Sequence, residues 1–202
     1  AFDVVIIDEA ARANPLDLLV ALVLGRRIIL IGDQKQLPHV LEPQLERAVD
    51  TEQGGALRES LFQRLWGLYE LAPPGGFPRV KMLDCQFRMH PVLGRFVSET
   101  FYGGSVKNGT QATPPPDCFG TNSPALFFDV GQGRERGRYH RDSEVDAVMD
   151  RLRVLRKADH NSIGIITFYA QQAEALKQAV EDMGLSGTVR VGTVDAFQGR
   201  EF

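Results

Sequence analysis

Two acids, Asp8 and Glu9, follow a run of apolar residues in the string FDVVIIDEAA. Residues 2–7 show no alternation of apolar and polar side chains, so they read as a strand buried on both faces, the pattern of a parallel sheet. Open α/β sheets bind ligands at the carboxyl ends of their strands. A carboxylate pair emerging there is placed to hold a divalent cation and to aim a water. The competing reading is a solvated Asp-Glu turn. The residues up to Pro38 weigh against it. Asn14 and Pro15 form a cap-and-proline start, and Leu16, Leu19, Val20, Val23 and Leu24 recur at helical spacing over residues 14–24. A second buried strand is expected at 27–31, ending in GDQKQLP. The unit is βαβ, so the two strand ends should lie side by side, with Gly32, Asp33 and Gln36 at the sheet edge that carries Asp8 and Glu9.

The elements that must hold these groups divide at the cluster LAPPGGFP, which interrupts regular structure around residues 72–78. Before it, residues 60–69 (SLFQRLWGLY) place Leu61, Phe62, Leu65, Trp66 and Tyr69 on one face of a core-facing helix. After it the alternation restarts, with strands expected at 80–83, 125–130, 162–167 and 188–194 and helices at 91–101, 142–157 and 170–183. This is an α/β pattern of parallel sheets with flanking helices. The Gly-, Pro-, Asn- and Thr-rich stretch 105–123 reads as a loop, as does 131–141, GQGRERGRYHR. With four arginines and a tyrosine, the second loop could follow a nucleic-acid backbone, although such runs are more often solvated.

Five motifs occur in order: FDVVIIDEAA, GDQKQLP, CQFRMHP at 85–91, GIITFYAQQ at 164–172 and VGTVDAFQGREF at 191–202. Together they resemble the superfamily 1 helicases, and most of all the 1B branch of the nonsense-mediated-decay, Upf-like type. The resemblance implies a RecA-like P-loop NTPase fold. Residues 1–74 would be the back part of a first lobe and residues 79–202 most of a second. It further implies ATP and Mg²⁺ in a cleft between lobes. Asp8 would hold the metal through its water shell, and Glu9 would orient and deprotonate the attacking water. Gln36 would sense the terminal phosphate or that water, and Arg88 would reach across as an arginine finger. Gly199 and Glu201 resemble positions near the phosphates and ribose. Thr167, Gln171 and Thr193 resemble contacts to the backbone of single-stranded DNA or RNA, which position a strand without reading it. Movement along that strand would be 5′ to 3′. Where the family usually has TPY, this chain has Thr167, Phe168 and Tyr169.

One expected string is missing. No G-x-x-x-x-G-K-[ST] occurs, because Lys35, Lys81, Lys107, Lys157 and Lys177 each follow a residue other than glycine. The chain also opens on the DEAA strand and stops inside the last motif. The expectation is therefore a fragment of a longer helicase whose partner is the remainder of the parent chain, and which is inactive alone. Two other functions stay open: a P-loop ATPase that remodels protein complexes without unwinding, and a non-catalytic binding module. Composition narrows the class further. With 202 residues, 43% hydrophobic and 24% charged, the chain is long enough for a sizeable core. It has no apolar run of about 20 residues, as a membrane span needs, and no leader-like start, so an intracellular, soluble setting without membrane contact is expected. A net charge of −3 argues only against strong non-specific coating of nucleic acid, since strands are bound through a local groove. Cys85 and Cys118 have neither zinc-ligand nor disulfide spacing.

Overall fold

A computed structural model describes residues 1–37, 59–71, 79–109, 118–131, 139–158 and 162–198. It divides into two compact units, Ala1–Asp84 and Cys85–Phe202.

In the first unit, β1 (Phe2–Ile7) pairs in parallel with β2 (Gly25–Leu30), and α1 (Pro15–Leu22) connects them. The start of α1 is fixed by Asn14, whose side-chain oxygen accepts from the backbone N–H groups of Leu16 and Asp17, both at 2.9 Å. Such a cap contributes about 1 kcal/mol, and Pro15 has no N–H to leave unpaired in the first turn. A second helix, α2 (Leu61–Glu70), brings Phe62 into a cluster with Ala10, Ala11 and Leu18. Among the described residues, only one face of the β1–β2 pair is covered. Phe2, Val4 and Ile6 alternate along β1 on the other face and are 65%, 46% and 62% exposed. The expectation of a strand buried on both faces is thus corrected. An unbroken apolar run shows that both faces avoid water, but burial needs a second covering layer, and α1 and α2 supply one.

In the second unit, β5 (Ile163–Thr167) and β6 (Val189–Thr193) form a parallel pair joined through α5 (Ala170–Asp182). The core lies between this pair and α4 (Asp142–Lys157): Met149 and Leu152 from α4, Leu176 and Val180 from α5, Ile165 and Val189 from the strands. Burying a side chain of this size stabilises by about 1.5–3 kcal/mol. Gln172, 5% exposed on α5, ties the start of α4 to this layer: its Oε1 accepts from the N–H of Arg141 at 2.9 Å. A four-residue helix, α6 (Val194–Phe197), follows β6 and lays Phe197 over Gly164 and Gly192, where an added Cβ would sit 3.0 Å and 2.9 Å from the ring.

The remaining pair joins β3 (Cys85–Gln86) to β4 (Lys107–Asn108), with α3 (Pro91–Phe101) between them. Two expectations fail here. Residues 80–83 carry no strand, the pairing beginning instead at Cys85, and residue 107, expected in a loop, provides the partner. Residues 125–130 also lack ladder pairing among the described residues. Phe128 there packs edge-on to Phe119 at 5.6 Å and under the Arg151 guanidinium at 4.4 Å, while Phe127 is 93% exposed. β-propensity describes fit to a pleated neighbour, and these contacts hold the segment by its side chains.

Candidate functional site

In the first unit the carboxyl ends of β1 and β2 are adjacent. Ile7 and Leu30 are register partners, the N–H of Ile31 donates to the carbonyl of Ile7 at 2.8 Å, and the N–H of Ala10 returns to the carbonyl of Ile31 at 2.8 Å. DEAA and GDQKQ therefore share one edge, as the βαβ pattern requires. Asp8 and Glu9 are both exposed there. One oxygen of Asp8, Oδ1, accepts from the N–H of Glu9 at 2.9 Å, and Glu9 has φ of +52°, a left-handed conformation uncommon outside glycine. The turn is closed by the N–H of Arg12 donating to the Glu9 carbonyl at 3.0 Å.

Small residues beneath the acids permit this geometry. Ala10 and Ala11 are buried, and buried Ser60 donates its hydroxyl to the Ala11 carbonyl at 3.1 Å. At Gly32 a Cβ would lie 2.8 Å from the Ala11 nitrogen and 3.3 Å from Cε2 of Phe62. Backbone cannot retreat as a flexible side chain can. Gly32→Ala should therefore destabilise the first unit by about 1–3 kcal/mol. Trp66, the only tryptophan, packs against the same cluster, so its fluorescence should show the urea midpoint falling. An unchanged midpoint would mean that the two strand ends are not locked together here.

Beyond Gly32, Asp33 organises the turn. Its Oδ1 accepts from the N–H of Lys35 at 2.9 Å, and its Oδ2 accepts from Nε2 of Gln36 at 3.0 Å. Gln36 is exposed, and its amide N–H is engaged with Asp33. A contact from that N–H to a phosphate would exchange this bond. Among the described residues no group of three or more His, Cys, Asp and Glu side chains could hold a metal ion. The Asp33 carboxylate is engaged by Lys35 and Gln36, which leaves the hard carboxylates of Asp8 and Glu9 as donors at this edge. That set fits Mg²⁺, which keeps several waters and uses one or two carboxylates together with substrate phosphates.

In the second unit, Arg88 lies in the turn between β3 and α3 and is exposed. The turn is bound by Gln86, whose Oε1 accepts from the N–H groups of Arg88 at 3.0 Å and Met89 at 2.7 Å. His90 caps α3, its Nδ1 accepting from the N–H of Val92 at 3.2 Å, with Pro91 in the first helical position. Thr167 and Thr193 are register partners at the carboxyl ends of β5 and β6, and Gln171 is exposed in the first turn of α5. Those three expected nucleic-acid contacts thus belong to one βαβ unit. Gly199 and Glu201 lie outside the described residues, as do the central residues of the 131–141 loop. Arg141, at the end of that loop, is held rather than solvated: Nη1 donates to Glu144 at 2.7 Å and Nη2 to the Gly131 carbonyl at 3.1 Å.

A family described as AAA domain matches residues 57–202, and a second with the same description matches residues 1–42. The chain belongs to the AAA-domain family, in its superfamily 1 helicase branch. Among the curated relatives of this AAA-domain chain, the "Probable helicase MAGATAMA 3" of Arabidopsis thaliana is 34% identical over 99% of the chain and 25% of its own length. The "ATP-dependent helicase NAM7" of Saccharomyces cerevisiae is 34% identical, with 99% and 21% covered. The human "Probable helicase senataxin" is 32% identical, with 99% and 8% covered. The AAA-domain chain thus spans a quarter or less of the length of these three relatives. No described helix is long and apolar enough to cross a membrane.

Sequence reasoning missed Ser60 and Asn108. Ser60 was the first residue of the helix expected at 60–69, and the carbonyl its hydroxyl binds is 49 residues away. Asn108 lay in a stretch whose composition reads as loop, and nothing local marks it as a partner of Gln86.

Proposed function

We propose that this chain supplies catalytic and strand-binding parts of an ATP-dependent nucleic-acid helicase or translocase that moves 5′ to 3′ on a single strand of DNA or RNA. The observation that carries the reading is the shared edge of the first unit, where Asp8 and Glu9 sit beside the turn bearing Asp33 and Gln36. Asp8 would hold Mg²⁺ through its water shell, and the metal would neutralise charge on the β- and γ-phosphates. Glu9 would take the proton of the attacking water. Gln36 would report the terminal phosphate, and Arg88, from the second unit, would meet the charge developing on it. Gly199 and Glu201 would approach the nucleotide. Thr167, Gln171 and Thr193 would hold the strand by its backbone, which leaves movement independent of sequence. The names of the relatives support this reading, as does the order of the five motifs.

A triphosphate also needs backbone donors and a lysine to cradle it, and no glycine-lysine pair occurs in the 202 residues. The purified 202-residue polypeptide should accordingly show no ATPase stimulated by single-stranded nucleic acid. The full-length gene product should show it, together with strand displacement. Stimulated hydrolysis by the 202 residues alone would overturn the assignment of parts. ATPase without displacement in the full-length protein would favour a remodelling enzyme, and no ATPase in either would favour a binding module.

A further inference from the structure

The turn that carries Arg88 is set by a relay of two side-chain amides, and its outer member is the unassigned Asn108. The Pro91 carbonyl can only accept, so it fixes the nitrogen of Asn108, whose Nδ2 donates to it at 3.1 Å. That leaves Oδ1 of Asn108 towards Gln86, whose Nε2 donates to it at 2.6 Å and to the Met89 carbonyl at 3.0 Å. With its nitrogen so committed, Gln86 must present Oε1 to the N–H groups of Arg88 and Met89, which lie at 3.0 Å and 2.7 Å. An amide offers two donors and two acceptor lone pairs, and Gln86 uses all four. Each orientation in the chain follows from the previous one.

The surroundings hold the relay in place. Gln86 and Asn108 are register partners, and the N–H of Gly109 donates to the Gln86 carbonyl at 2.8 Å. Buried Ser98 of α3 accepts at Oγ from the N–H of Val106 at 3.0 Å, which anchors the approach to β4. Gly94 is buried beside both amides, where any Cβ would overlap Oδ1 of Asn108 and Nε2 of Gln86. Asn108 itself is exposed, and β4 keeps its main-chain bonds without that side chain. An exposed side chain whose bonds go to one neighbouring amide and one carbonyl contributes little to stability and much to orientation.

We propose that Asn108, acting through Gln86, is a positioning residue that sets the backbone from which Arg88 projects; this rests on the reading of Arg88 as the group that meets the terminal phosphate. The test uses the full-length gene product, with kcat and KM for ATP measured at saturating single-stranded nucleic acid and thermal midpoints recorded in parallel. Asn108→Ala should lower kcat roughly ten- to a hundredfold, the scale of a small misplacement of a reacting group, with KM within about twofold and the midpoint little changed. Asn108→Asp keeps an oxygen for Gln86 but sets its other oxygen against the Pro91 carbonyl, so it should not recover the wild-type kcat. In an Arg88→Ala background, Asn108→Ala should lower kcat by less than about twofold, because there is no longer a side chain to aim. A near-wild-type kcat for Asn108→Ala, or an equal loss in both backgrounds, would overturn the positioning role. A wild-type kcat for Arg88→Ala would instead overturn the reading of Arg88, and this inference with it.

Discussion

Arg88→Ala in the full-length gene product should slow nucleic-acid-stimulated ATP turnover by about 10³- to 10⁵-fold, the range an arginine finger supplies. The effect should fall on kcat, because a fixed guanidinium meets charge that is greater in the transition state than in bound ATP. Arg88→Lys should recover little of it. A lysine keeps the charge but loses the planar fork that matches two phosphate oxygens. The turn should survive both changes, because its bonds to Gln86 involve the main-chain N–H groups of residues 88 and 89. Steady-state kinetics, with ATP binding measured separately, decides the matter. A variant that binds ATP weakly but turns it over at the wild-type rate would make Arg88 a binding residue only.

Local signals carried much of this fold. The helix expected at 91–101 is found at Pro91–Phe101, and that expected at 142–157 at Asp142–Lys157. Pro91 favours a helix start, and both segments recur with the helical period. The strands of the β1–β2 and β5–β6 pairs were found within two residues of expectation, since an apolar run of five or six between glycine- or cap-rich ends has few alternatives. What was not legible depends on partners distant in sequence. Residues 80–83 and 125–130 have strand composition and no ladder, while Lys107–Asn108 has loop composition and pairs with Cys85–Gln86. A two-residue bridge is too short to show periodicity. The site divides in the same way. Asp8, Glu9 and Arg88 are proposed from the order of the motifs, and Thr167 and Thr193 from the same resemblance. The amide relay closes over 22 residues, and the left-handed turn at Glu9 occupies a residue type that seldom adopts it. Nothing in a one-dimensional pattern announces either.

That turn gives the second large effect. Glu9→Gln in the full-length gene product should reduce turnover by about 10²- to 10⁴-fold while ATP affinity stays within a few-fold, because a base is lost without a change of shape. The hydrogen bonds around the residue involve its main chain: its N–H donates to Asp8 and its carbonyl accepts from Arg12. Glutamine can keep both. Glu9→Gly separates chemistry from strain. Holding a non-glycine residue at φ of +52° costs about 1–2 kcal/mol, which glycine avoids. The glycine variant should therefore be as inactive as the glutamine one, yet at least as resistant to denaturant as the wild type. Strain of this kind gathers at functional sites, which is in keeping with the role proposed for Glu9. Wild-type turnover in Glu9→Gln, with Asp8 unchanged, would show that the attacking water is activated by another group.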